Sequence, residues 1–290
     1  MPRLLAIPLL LLAAWPVAVL ALSDRPEAPP PPPATQRATS IAVPATRAAR
    51  PLPRIHGDDP SRPLVVIDAG HGGHDPGAVS PDSALREKDV TLATATAIRD
   101  RLLRSGRVRV ALTRERDEYL ILHERYAIAR RMGAALFLSV HCDSAGHPGA
   151  RGATAYTLSE IASDKEAARL AARENKADIL SGIDLREEDG GISSLLIDLA
   201  QRETMHRSAA YARLLGREAA PLIPVRDQFH RMASLIVLKA PDMPSILFET
   251  GYLSNVEDAA FVGSQQGRDR IAEAVARATE IHFARRLAGG

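Results

Sequence analysis

His71 and His141 are the residues of this chain whose type and setting could do chemistry. Each follows a short apolar run. Val65-Val66-Ile67-Asp68-Ala69-Gly70 leads into His71, and Ala135-Leu136-Phe137-Leu138-Ser139-Val140 leads into His141. A strand that ends on an imidazole presents the ring where strand ends meet loops, which is where layered α/β domains build their sites. Gly70, Gly72 and Gly73 flank His71, so the backbone can turn sharply and leave the ring accessible. Two histidines in matching settings form a candidate metal pair. Such a pair needs at least one more ligand to hold zinc, with a further position open for catalysis.

Carboxylates are the candidates for that ligand. Glu87, in Leu85-Arg86-Glu87-Lys88-Asp89-Val90, opens the first expected helix after a loop that begins beside His71. It has two readings: a third ligand, or an acidic residue favoured in a first helical turn by the helix dipole. Glu249 closes the apolar run Pro244-Ser245-Ile246-Leu247-Phe248. A carboxylate ending a buried strand is costly unless it is paired, metal-bound or catalytic. Desolvation there raises its pKa toward the range of a general acid–base, while a structural salt bridge is the plainer alternative.

The elements that must position these groups alternate. Strands are expected at 64–70, 107–113, 134–141, 152–158, 234–239 and 244–249. Helices are expected at about 88–104, 121–132 and 267–286, with a long, charged helical region over about 163–220. This order predicts an α/β fold: a single layered domain with a mainly parallel twisted sheet flanked by helices. The sole cysteine, Cys142, excludes an intramolecular disulfide and a cysteine-based zinc site. Strand alternation turns it away from its neighbour His141. A formal net charge of +2 gives no argument for nucleic acid.

The domain is preceded by two segments of different character. Met1-Pro2-Arg3, the apolar run Leu4 to Leu22 and Ser23-Asp24-Arg25 read over 1–23 as an export signal. The alternative is an uncleaved N-terminal anchor, which would be the chain's one link to a membrane. Either reading places the remainder outside the cytoplasmic membrane, in the periplasm or cell envelope. Residues 24–61, with the run Pro29 to Pro33, are expected to form an unfolded proline-rich linker. The domain proper is 62–290.

Four motifs in order resemble the zinc-dependent N-acetylmuramoyl-L-alanine amidases of the Amidase_3 type, bacterial cell-wall hydrolases. They are Ile67-Asp68-Ala69-Gly70-His71-Gly72-Gly73 with Asp75-Pro76-Gly77; Glu87-Lys88-Asp89-Val90; Ser139-Val140-His141; and Pro244 to Asn255. The resemblance runs from about Leu64 to Leu287. It implies that His71, Glu87 and His141 hold one Zn2+ and that Glu249 is the catalytic carboxylate. The implied substrate is peptidoglycan, cut at the amide between N-acetylmuramic acid and L-alanine during cell separation or wall remodelling. Asp68 would be an acceptor orienting a ligand histidine, or a turn cap. The chain departs from its relatives at Cys142-Asp143-Ser144, where they usually carry Ala-Asn or Ala-Asp.

The region from about 160 to 210 is longer and more charged than a connection requires. Asp164 to Glu174 reads as a helix with opposite charges four residues apart, and Asp184 to Gly191 as an acidic loop. Some division-associated relatives carry an inserted helix here that covers the zinc until an activator withdraws it. The resemblance suggests the same device, with Glu174, Glu187 or Glu188 reaching the metal and a LytM-type activator as partner. The alternative is a solvated surface helix. Two rival functions remain open: a zinc peptidase acting on the stem peptide, and a non-catalytic wall-binding or activator protein.

Overall fold

The computed structural model describes residues 50–145, 149–180 and 194–288. The export segment, most of the linker, Glu187 and Glu188 lie outside the described residues.

Six strands form one sheet in the order β2-β1-β3-β6-β4-β5. They are β1 (Leu64–Ala69), β2 (Arg109–Leu112), β3 (Leu136–His141), β4 (Ala153–Leu158), β5 (Val225–Ala233) and β6 (Ser245–Glu249). β1 pairs in parallel with β2 and β3, β3 with β6, and β4 with β5, while β4 runs antiparallel to β6. β1, β3 and β6 are buried along their whole length, which explains their near-continuous apolar sequences.

The helices are α1 (Glu87–Leu103), α2 (Leu122–Arg131), α3 (Lys165–Glu174), α4 (Ala177–Leu180), α5 (Ser194–Ala219), α6 (Val256–Gly263) and α7 (Gln265–Ala288). Alternation along the strands divides the core into two clusters. Leu136, Leu138, Val140 and Cys142 of the β3 segment join Ile246 and Phe248 of β6 in a core with residues from α1, α5 and α7. Phe137 and Leu247 point the other way, into a core with Tyr156 and residues from α2 and α3. His141 and Glu249 therefore leave the sheet on the face that α2 and α3 cover.

Two expectations need correction. The apolar run at 234–239 is not a strand: Ile236–Leu238 is a 3-10 turn whose Val237 and Leu238 pack into the second core. The strand is instead β5, whose Arg226, Asp227, Gln228, His230 and Arg231 conceal it, because an edge strand wets part of its surface. Within the charged helical region 163–220, the described residues form α3, α4 and α5. Finally, Asn255 caps a separate α6, accepting from the amides of Glu257 and Asp258, both at 3.1 Å.

The linker also ends earlier than expected. Residues 50–61 lie against the domain, with His56 and Val110 exchanging backbone hydrogen bonds at 2.7 and 2.9 Å beside the edge strand β2. Arg50 donates to Glu118 at 2.6 Å.

Candidate metal centre

β1 and β3 lie side by side, and their C-terminal ends bring His71 and His141 to a ring-centroid separation of 5.0 Å. That approach dictates the residue at position 70. A Cβ there would lie 2.5–2.8 Å from three atoms of the His141 ring, so only glycine fits. His71 itself has φ 59°, a left-handed backbone rare for a residue with a side chain. Arg125 secures this turn from beneath: it donates to the carbonyls of Ala69 and His71, both at 2.9 Å, and to Asp68 at 3.0 Å. Arg114 adds bonds to the carbonyls of Ala69 at 2.9 Å and Gly70 at 2.8 Å.

Glu87 opens α1 and enters the site between the two imidazoles. Its Oε2 lies 3.1 Å from His71 Nε2, and its Oε1 lies 3.2 Å from His141 Nδ1. Both oxygens are also fixed by the fold, accepting from the amides of Ala78 and Cys142 at 2.8 Å each. Gly77, at φ 65°, lets the loop pass: a Cβ there would come within 2.6 Å of both Glu87 Oε2 and the His71 ring. Glu87 thus stands in the first turn of α1 and faces both imidazoles.

A second carboxylate occupies the same place. Glu174, the last residue of α3, puts Oε2 at 3.5 Å from His71 Nε2 and 3.3 Å from His141 Nδ1. His71, His141 and Glu174 are buried, and one ligand atom from each lies within 4.8 Å of the others, a spacing able to hold a metal ion. Of the three carboxylates suggested for a covering role, Glu174 is at the histidines; Glu187 and Glu188 are outside the described residues.

The electrostatics favour a cation. Burial opposes charge on His71, but the negative charge of Glu87, the hydrogen bond of Asp75 and the charge of Glu174 raise its imidazole well above the usual range. Glu87 is the converse: burial raises its carboxyl, yet His71 and His141 together hold it well below the ordinary range. His71 Nε2 is buried without a hydrogen-bond partner. Two nitrogen donors faced by carboxylate oxygens, one nitrogen left unsatisfied, are donor chemistry that suits a metal ion. A metal cation there replaces protons that the same charges would otherwise attract.

Glu249 ends β6 in register with His141 at the end of β3. Its Oε2 accepts from the Asp143 amide at 2.8 Å, while Oε1 is buried without a partner. Burial, reinforced by the charges of Asp143, Glu87 and Glu174, pushes its carboxyl well above the usual range. The salt-bridge alternative thus gives way to a desolvated carboxyl with an unsatisfied oxygen.

The carboxylate bonded to His71 is Asp75, not Asp68. Asp75 Oδ2 lies 2.8 Å from His71 Nδ1 and fixes the ring so that Nε2 faces the centre. Asp68 is fully buried behind the site and bonds to Thr113 Oγ1 at 2.6 Å, Ser139 Oγ at 2.8 Å and Arg125. It braces the strands rather than an imidazole. Asp75 was legible in principle, four residues past His71 within Asp75-Pro76-Gly77, but Asp68 is equally near in sequence and only the turn decides between them. Asp143 was missed entirely. It is pushed up to about 7 by burial, against the opposing charge of Arg173, which pairs with it from α3. Cys142 sits in the opposite core, as strand alternation requires, and burial pushes its thiol well up.

Residues 65–280 match the Amidase_3 family, described as N-acetylmuramoyl-L-alanine amidase. The chain is 35% identical over 221 residues to AmiA of Escherichia coli K12, covering 76% of each protein. It is 34% identical over 223 residues to AmiC of Neisseria meningitidis, covering 77% of this chain and 53% of that one. Among solved structures, the catalytic domain of CwlV from Paenibacillus polymyxa aligns with a TM-score of 0.54 at 25% identity, covering 77% of this chain and 98% of the other. AmiC2 of Nostoc punctiforme aligns with a TM-score of 0.54 at 27% identity, covering 77% and 97%. With that family match and the two-histidine, buried-carboxylate centre in place, the chain belongs to the Amidase_3 family of N-acetylmuramoyl-L-alanine amidases, hydrolases of peptidoglycan amide bonds.

Proposed function

We propose that this chain is a zinc-dependent N-acetylmuramoyl-L-alanine amidase of the cell envelope that rests in a covered state. The observation that carries the reading is the convergence of His71 Nε2, His141 Nδ1 and both Glu87 oxygens beside the buried Glu249. His71, His141 and Glu87 would hold the zinc. Glu87 is preferred to Glu174 as the permanent ligand because backbone amides fix both of its oxygens, whereas Glu174 is borne by a separate short helix. Bound there, zinc supplies Lewis-acid polarisation of the scissile carbonyl and acidifies water.

The chain's own groups do the rest. Glu249 takes a proton from the attacking water and returns it to the leaving L-alanine nitrogen, which its raised pKa suits. Asp75 keeps His71 in the tautomer that turns Nε2 toward the centre. Arg125 and Arg114 hold the carbonyls beneath the His71 turn, so the ring stays where the reaction needs it.

Glu174 is the covering carboxylate in this reading, and α3 with α4 is the cover. Several bonds seat them. Arg173 reaches Asp143 and the Ser144 carbonyl, and Asn175 bonds the backbone of Ser234 and Ile236 at 2.8 and 3.0 Å. Asp178 accepts from the Leu122 amide at the start of α2 at 3.0 Å and from the Tyr119 hydroxyl at 2.9 Å. A LytM-type activator that withdraws the cover would be the partner. Export by the N-terminal segment and a role in cell separation complete the proposal.

The test is elemental analysis combined with product analysis. One zinc per chain, lost in His71→Ala, together with release of peptides that begin at L-alanine, supports the reading. A zinc-loaded protein that shortens stem peptides still attached to muramic acid is a peptidase instead.

A further inference from the structure

The N-terminal half of α3 is held by a second polar site, on the same face of the sheet as Glu249. Arg226 grips the Glu166 carboxylate with both terminal nitrogens, at 2.6 and 3.1 Å. Arg231, itself buried, approaches Glu166 at 3.2 Å and Asp164 at 2.8 Å. The Tyr252 hydroxyl lies 3.3 Å from Glu166 and accepts from Arg226 at 2.8 Å. This is a built carboxylate receptor: the Arg226 fork, one Arg231 nitrogen and a hydroxyl meet Glu166, while the other Arg231 nitrogens turn to Asp164. It continues into a groove of about 360 Å³ lined by Arg151, Arg226, Arg231 and Asp227.

Its placement follows from the strand register. Arg231 pairs with Tyr156, and Tyr156 with Leu247, two residues before Glu249. Thr154 pairs directly with Glu249, beside the irregular stretch of β5 that carries Arg226. The receptor is thus two strand spacings from the catalytic carboxylate, about 10 Å. Along α3, Glu166 precedes Glu174 by eight residues, or about 12 Å of helix. An extended peptide covers that distance in three to four residues, at about 3.3–3.6 Å each.

We propose that Arg226 and Arg231, with Tyr252, form the subsite for a free carboxylate of the substrate's stem peptide, a few residues beyond the scissile amide, and that Glu166 occupies it in the covered enzyme. The inference rests on the amidase reading, and α3 is then an internal imitation of the substrate at both ends. Glu174 stands at the reaction centre and Glu166 stands where the acidic peptide would be gripped. Withdrawing α3 exposes the catalytic centre and the specificity pocket in one movement.

Peptide binding tests this without requiring turnover. The probe is a synthetic tripeptide that starts at L-alanine and carries free side-chain and terminal carboxylates, with its fully amidated form as comparison. Binding is measured by calorimetry to the full chain. Neutralising the occupant in an Asp164→Asn/Glu166→Gln variant should strengthen binding of the acidic probe at least tenfold and leave the amidated probe unchanged. Adding Arg226→Gln should abolish the gain, and Arg226→Lys should restore only part of it. An unchanged affinity in the acid-to-amide variant, or a gain that survives Arg226→Gln, overturns the subsite. Failure of the amidase reading would show separately, as zinc-loaded protein that releases no peptide beginning at L-alanine from peptidoglycan.

Discussion

Glu249 faces His141 across the β3–β6 ladder, each the last residue of its strand and each directed to the same side of the sheet. The two residues lie more than a hundred positions apart in sequence, yet parallel pairing places a metal-ligand candidate and an acid–base candidate side by side. The rigidity of two fully buried strands is what fixes their spacing.

Glu249→Gln keeps the shape of the side chain and removes its ability to exchange a proton. Hydrolysis should fall by about 10²–10⁴-fold. Zinc content should be retained, because Glu249 is not among the groups assigned to the metal. Parallel rate and metal measurements check both halves. Loss of zinc in the variant would move Glu249 into the ligand set.

Asp75→Ala removes the acceptor that orients His71 through Nδ1. Metal affinity should weaken by about 10–100-fold, as for other groups that orient a ligand histidine. Competition with a chelator of known affinity gives the number. The same substitution at Asp68 should act on folding stability instead, since Asp68 is tied to Thr113, Ser139 and Arg125.

Arg125→Met leaves the Asp68 carboxylate buried without its cation and frees the carbonyls of Leu120, Ala69 and His71. Breaking a buried pair in this way costs about 3–5 kcal/mol. Urea unfolding should show a midpoint shift of that size with an unchanged slope. A near-neutral result would mean that the His71 turn holds itself.

The reach of sequence reasoning is visible in these residues. Both histidines, Glu87 and Glu249 could be picked out because each sits at the end of an apolar run or the start of a helix, where alternation and capping leave a signature. Arg125 and Asp143 carry no such mark, and Asp75 is set apart from Asp68 only by the turn. Their roles come from a left-handed turn at His71 and from contacts across the sheet that spacing does not encode. β5 was hidden for a related reason: its arginines and acids serve a receptor rather than a core, so the apolar run after it looked more like a strand than the strand did.

Glu174→Gln removes the charge that holds the end of α3 at the histidines. Basal hydrolysis by folded, zinc-loaded protein should rise on the order of tenfold, the effect of losing about 1.4 kcal/mol of preference for the covered state. The increase is read as rate without any activator present. A rate equal to that of the unaltered chain would show that Glu174 covers nothing that matters.

His282 carries a pH dependence independent of the metal centre. Burial, with Arg286 and Arg207 nearby, lowers its imidazole to about 4, and its Nε2 has no hydrogen-bond partner. Above pH 6.5 the ring is neutral in folded and unfolded chains alike. Below that, the unfolded chain takes up a proton that the folded one refuses until about pH 4, so stability is lost as the pH falls through this window. With solvent screening of a partly wetted group, the loss should be about 1–2 kcal/mol. His282→Leu should flatten the stability–pH curve by that amount between pH 6.5 and 4, and an unchanged slope would contradict the assignment.

One assay reads both the bond that is cut and the carboxylate that helps cut it. Mass spectrometry of material released from purified peptidoglycan by zinc-loaded full chain, in the Glu174→Gln background so that covering does not mask activity, addresses both together. Free stem peptides beginning at L-alanine are expected, nearly absent when Glu249→Gln is added. Peptides cut internally and still joined to muramic acid, or equal release with and without Glu249, would contradict this.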